Sequence, residues 1–151
     1  MTPRTLRLAI QGRDRFAGLP APSTLRRWVA LALEGKYDAA ITLRFAGARE
    51  ARQINRSFRR RDYATNVLTF AYTRRPELAA DIVLCWPVIE RESRNQDKTP
   101  RAHLAHLLIH AVLHARGFDR QARAARRRME NLEISLLSLL AIDNPYDLPR
   151  K

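Results

Sequence analysis

The stretch "TPRAHLAHLLIHAVLHARGFDR", residues 99–120, decides how the rest of the chain is read. Thr99 and Pro100 are an N-cap and a first-turn proline, and Gly117 supplies a stop, so a helix is predicted over 100–116. The four histidines of the protein, His103, His106, His110 and His114, all fall inside it. At about 100° per residue they lie near 0°, 300°, 340° and 20°, one stripe roughly 80° wide. A stripe of that width is what a core-facing surface looks like, and it is also what a helix offering ligands to a metal looks like.

Working outward, the segments before this helix alternate in type. "TLRLAIQG" (5–12) alternates with period two and reads as a strand, and "DAAITLRFA" (38–46) as another. Between them "PSTLRRWVALALEGK" opens a helix at Pro22, Ser23 and Thr24 and closes it at Gly35. "GAREARQINRSF" (47–58) places Ala48, Ala51, Ile54 and Phe58 on one helical face, which predicts Phe58 in the core. "NVLTFAY" (66–72) and "ADIVLCW" (80–86) are short apolar strands, and a further helix is expected at "VIERESRNQ" (88–96). A final helix is expected at about 121–141, followed by a polar tail, "DNPYDLPRK" (143–151). Trp28 and Trp86 read as packing residues. The expected fold is therefore α/β (α+β), a small mixed sheet of about four strands covered by helices, in one domain spanning 1–151.

Composition narrows the function classes. A chain of 151 residues with 46% hydrophobic and 28% charged residues is an ordinary globular composition. No apolar run approaches the ~20 residues of a membrane span, so no membrane partner is expected, and no secretory leader is visible. With Cys85 the only cysteine, no internal disulfide can form, and a cytoplasmic location is expected. The charge is the informative quantity: 28 Lys+Arg against 15 Asp+Glu give +13, and only Lys36, Lys98 and Lys151 are lysines. A positive field built from arginine attracts polyphosphates, and guanidinium is the better phosphate fork, so nucleic acid is the expected partner.

His110 and His114, four apart, place two imidazoles on one side of a helix, and Gly117 three residues on permits a sharp turn. This is the H-x-x-x-H-x-x-G-x-x-H plan of helices whose zinc set is completed after the turn. In zinc proteases a glutamate follows the first histidine as general base; here Ala111 stands there, which argues against peptide hydrolysis. The closing position holds Arg120. An arginine is permanently protonated and has no lone pair for a metal.

"HLLIHAVLHARGFD" resembles the signature of the YbeY family, bacterial zinc-dependent endoribonucleases of ribosomal RNA maturation. "INRSFRRRDYATNVLTFAY" (54–72), "ADIVLCWPVIERES" (80–93), the Met-Glu-x-x-Glu run in "RRRMENLEISLL" and the tail "NPY" are similar to further family segments, in the same order over roughly 38–147. The resemblance implies a single-strand-specific endoribonuclease in ribosomal RNA maturation and ribosome quality control. It implies metal-assisted hydrolysis with one zinc ion held by His110 and His114, and Arg59 as the catalytic arginine at the scissile phosphate. Arg56, Arg60, Arg61 and Arg120 are candidate RNA contacts, with Phe58 and Tyr63 beside them able to stack bases. The implied partners are ribosomal RNA, the small ribosomal subunit with its proteins, and a ribosome-assembly GTPase. The chain departs from the family pattern at Arg120, at Ala111 and at Ala80. Three outcomes stay open: Asp119 or Asp143 completes the metal set, zinc binds weakly through the two histidines, or no metal binds and Arg120 joins Arg59 on phosphate. The alternative function is a non-catalytic RNA- or ribosome-binding member that has lost its metal. Asp119 reads equally as a loop carboxylate paired with Arg116 or Arg120, and His103 and His106 as packing or hydrogen-bonding residues.

Overall fold

The computed structural model describes residues 4–118 and 121–147. Within them β1 (Leu6–Gln11), α1 (Pro22–Leu33), β2 (Ala39–Ala46), α2 (Ala48–Arg59), β3 (Val67–Thr73), β4 (Leu78–Cys85), α3 (Trp86–Asn95), α4 (Pro100–Ala115) and α5 (Arg123–Ser138) follow in order. A short 3-10 turn at Arg13–Arg15 follows β1. The four strands form one sheet in the order β1-β2-β4-β3. β1, β2 and β4 are parallel, and β3 runs antiparallel to β4 on the sheet edge, with a register irregularity between Ala71 and Thr73.

The alternation of the strands divides the interior in two. Ile41, Leu43 and Phe45 of β2 and Leu78, Ile82 and Leu84 of β4 point to the face covered by α1 and α4, where Leu25, Trp28, Leu104, Leu108 and Val112 meet them. Each such fully buried side chain contributes on the order of 1.5–3 kcal/mol. On the opposite face Ala46, Leu68, Val83 and Cys85 make a smaller core with Ala51 of α2 and Val88 of α3. Burial pushes the Cys85 thiol upward.

Local chemistry explains the boundaries. Thr99 Oγ1 accepts from the Ala102 amide at 3.1 Å, the expected N-cap of α4. Trp86, expected at the end of a strand, instead opens α3 with Pro87 beside it, and its indole Nε1 donates to Ala17 O at 3.1 Å. α5 is shorter than the expected 121–141: Leu139 caps it, and Ala141 takes a positive φ of 59° just beyond. Gly12 ends β1 at φ +76°, where a Cβ would lie 2.4 Å from Phe45 O, so only glycine lets β1 turn this close to β2.

Phe58 corrects the sequence reading. It stays 68% exposed on the last turn of α2, whose buried residues are Ala51 and Asn55. Its ring lies edge-on to Phe70, with centroids 5.5 Å apart. Trp28 and Trp86 are buried, as expected. No helix of the described residues is long and apolar enough to cross a membrane.

Candidate active site

α4 is buried on most of its circumference, with Leu104, Ala105, Leu108, Ile109, Ala111, Val112 and Ala115 out of solvent. Its histidine stripe is therefore buried at His103, half-buried at His106 and His110, and exposed at His114. His103 is buried, and its Nε2 lies 2.9 Å from Glu92 Oε1, which also accepts from Asn66 Nδ2 at 2.9 Å. Burial pushes the His103 imidazole below its ordinary value, against the pull of Glu92. His106 Nε2 lies 2.8 Å from Glu133 Oε1, and His110 Nδ1 lies 3.2 Å from Glu133 Oε2. Tyr146 donates its hydroxyl to Glu133 Oε1 at 2.8 Å. His103 and His106 are thus hydrogen-bonded within the protein, as the sequence reading has it. His114, on the last turn of α4, is exposed.

Glu133 itself is fully buried on α5. Burial alone would raise its carboxyl, but the bonds from His106, His110 and Tyr146 outweigh that and hold it at about 2, so it is a carboxylate at neutral pH. Sequence reading placed Glu133 only as the end of a Met-Glu-x-x-Glu run. The signal was available: Met129, Glu133, Leu136 and Leu137 share the buried face of α5, and a carboxylate in an apolar stripe requires partners.

As metal donors, His110 and His114 suit a late divalent ion, being two imidazoles on one helix face. His110 spends Nδ1 on Glu133, which leaves Nε2 for a metal. Among the described residues no group of three or more His, Cys, Asp or Glu side chains could hold a metal ion. Asp143, weighed as a substitute ligand, is instead exposed and lines a cavity of about 840 Å³ with Trp28, Lys98, Arg101 and His106. Asp119 and Arg120 lie outside the described residues. Arg116 has its own partners: Nη1 donates to Ala32 O at 2.7 Å and to Glu34 Oε1 at 3.0 Å.

The basic element is the end of α2. Arg59 is its last residue, and Arg60 caps it in the left-handed region at φ 59°. The loop that follows is clasped by buried Asn55, whose Nδ2 donates to Tyr63 O at 2.9 Å while its own carbonyl accepts from the Arg61 amide at 3.3 Å. Arg52 is taken up by Asp62 in a two-bond pair of 2.7 and 3.0 Å. Arg56, Arg59, Arg60, Arg61 and Tyr63 stay exposed. Arg59 is held in place: its Nη2 donates to Thr69 O at 2.9 Å and its Cζ lies 5.2 Å from the centroid of Phe70.

β3 joins the two halves. Arg59 is fastened to its middle, at Thr69 and Phe70. Arg74, just past its end, donates Nε to Ala115 O at 3.3 Å, in the residue after His114. The guanidinium of Arg74 also lies against Gly117, where an added Cβ would come 3.1 Å from its Nε. An edge strand thus carries the arginine cluster at one point and the exposed end of the histidine helix at another. Arg74 was not foreseen, since its partner Ala115 lies 41 residues further along the chain.

Comparison with known proteins finds relatives over most of the chain. A family model described as "Endoribonuclease YbeY" matches residues 21–141. A protein of that name from a Polaromonas species is 54% identical over 123 residues, covering 81% of this chain and 79% of its own. Another, from Aromatoleum aromaticum, is 46% identical over 135 residues, 89% of this chain and 86% of its own. The solution structure of TM1509 from Thermotoga maritima shares the fold at a TM-score of 0.60 and 20% identity, over 95% of this chain and 99% of its own.

Proposed function

This chain belongs to the YbeY endoribonuclease family, and from that premise we propose that it acts on single-stranded ribosomal RNA during maturation and quality control of the small subunit. The observation that carries the reading is the shared attachment to β3: Arg59 at Thr69 and Phe70, and the His114 end of α4 through Arg74 and Ala115. A phosphodiester lying along this edge meets a guanidinium fork and a pair of imidazoles on one support.

Arg59 binds the non-bridging oxygens. Its Nη2 is partly engaged by Thr69 O, and its remaining N–H groups are donors for phosphate, whose growing charge they stabilise as the bond breaks. Arg56, Arg60 and Arg61 track the backbone on either side, and Phe58 and Tyr63 offer exposed rings for unstacked bases. His110 and His114 would hold a divalent ion, zinc being the expected one; such an ion, when bound, supplies Lewis-acid activation of water and of the phosphoryl oxygen. The protein works in the cytoplasm as one domain, beside small-subunit proteins and a ribosome-assembly GTPase.

A second reading has its own support. The sequence has Arg120 where a third imidazole would stand, and the described residues bring no third donor to His110 and His114. A member that keeps the basic edge and binds RNA without cutting it matches those facts. Elemental mass spectrometry of the purified chain beside an Arg120→His variant separates the two. Zinc near one per chain in the natural protein supports the metal-assisted enzyme. An empty natural protein with a filled variant makes RNA binding without cutting the function. Two empty samples remove zinc from the proposal.

A further inference from the structure

We infer that Glu133 is a positioning residue that fixes His106 and His110 in opposite tautomers, so that of the two only His110 turns a bare ring nitrogen outward. The link to metal rests on the reading above; the tautomers rest on geometry alone.

An ionised carboxylate only accepts hydrogen bonds, so each ring nitrogen facing Glu133 must carry a proton. For His106 that nitrogen is Nε2, 2.8 Å from Oε1 and 3.2 Å from the Tyr146 hydroxyl, whose own proton goes to Oε1; for His110 it is Nδ1, 3.2 Å from Oε2. The carboxylate thus uses one oxygen per ring and reads the two rings from different sides. Neutral His106 is then the Nε2–H form, with its bare nitrogen at Nδ1. That atom is buried and has no hydrogen-bond partner among the described residues, so no group there calls for a proton on it. Neutral His110 is the Nδ1–H form, and its Nε2 keeps the lone pair. The nitrogen that a second partner protonates decides which nitrogen can ligate.

The consequence is a choice among neighbours. His106 and His110 stand on the same helix stripe, with ring centroids 6.3 Å apart. One carboxylate from α5 withholds the first from metal chemistry and prepares the second. Tyr146 donates to the same Oε1 as His106, which adds a third bond to the carboxylate and ties the segment after α5 into this arrangement.

Long-range proton–nitrogen correlation spectra of the full-length, nitrogen-15-labelled chain test this. They are recorded after chelator dialysis at about pH 8, above the ordinary imidazole range. The expected spectrum has His110 protonated at Nδ1 and His106 at Nε2. His110 protonated at Nε2 overturns the inference. Glu133→Gln keeps the shape but leaves one carbonyl acceptor for two rings. At least one ring then loses its single tautomer, and zinc affinity by calorimetry falls about 10- to 100-fold. A folded Glu133→Gln chain with both tautomers and zinc affinity unchanged also overturns it. Should that variant fail to fold by circular dichroism, the wild-type spectrum decides alone. A wild type showing both expected tautomers but taking up no zinc sinks the metal reading while upholding the tautomers.

Discussion

Replacing Arg59 separates a phosphate fork from a mere positive charge. In the fold Arg59 is already oriented, by Thr69 O at 2.9 Å and by Phe70 at 5.2 Å. A guanidinium has five N–H donors, so about four remain for a ligand, enough for a two-bond grip on phosphate. A charge-assisted bond is worth about 1.5–3 kcal/mol, and the exposure of Arg59 argues for the lower end. Two such bonds come to about 3 kcal/mol, so Arg59→Ala should weaken binding of a single-stranded oligoribonucleotide on the order of 100-fold. Arg59→Lys keeps a point charge and one bond but loses the fork and the stack on Phe70, and should fall about tenfold. Folding should suffer little. The Thr69 bond and the Phe70 contact together contribute about 1–2 kcal/mol, a melting shift of roughly 2–8 °C. Fluorescence anisotropy at fixed salt measures the affinities, and thermal denaturation guards against unfolding. A lysine variant that binds as tightly as the natural protein, or an alanine variant within twofold of it, would refute the fork.

Two further predictions concern the scaffold. Gly12→Ala meets both a positive φ and the Phe45 carbonyl, and should cost about 3 kcal/mol, or ~6–12 °C in melting temperature. Gly35→Ala, at φ +68° with nothing within 4 Å, carries only the backbone term of about 1 kcal/mol, or ~2–4 °C; equal shifts in the two variants would show that the close approach is not real. His103 is held below its ordinary value in the fold, so the unfolded chain takes up that proton first. Its contribution is intact above about pH 6.5 and declines as pH falls below it. Urea midpoints at pH 7.5 and 5.5 should differ more for the natural protein than for His103→Gln, and identical differences would clear His103 of acid sensitivity.

Much of this was legible in the chain itself, and the exceptions are instructive. The N-cap at Thr99, the four strands and the histidine stripe follow from side-chain chemistry and period, and each is found, the strands with ends shifted by about one or two residues. Phe58 was misplaced because helical period says which face a residue shares but not whether the neighbouring layer extends beneath it. Asn55 reads as a polar helix residue until the loop folds back and presents Tyr63 O. Arg74 belongs to the site through its bond to Ala115 O, a long-range fact with no local signature. Glu133 is the intermediate case. Its burial could be inferred from the apolar positions around it, but which histidines it would meet could not.

The way β3 carries both halves of the site gives the protein a ruler. A strand advances about 3.3 Å per residue and stretches little beyond that, so the five steps from Thr69, across the irregularity between Ala71 and Thr73, to Arg74 just past the strand span at most about 16 Å. Loops on either side are free to vary in length and sequence without altering that span. What would alter it is an inserted or deleted residue in β3, which would move the arginine mooring relative to the end of α4 in a single jump. Drift in this family should therefore be graded: tolerant of substitution along the exposed face of β3, intolerant of any change in its count of residues.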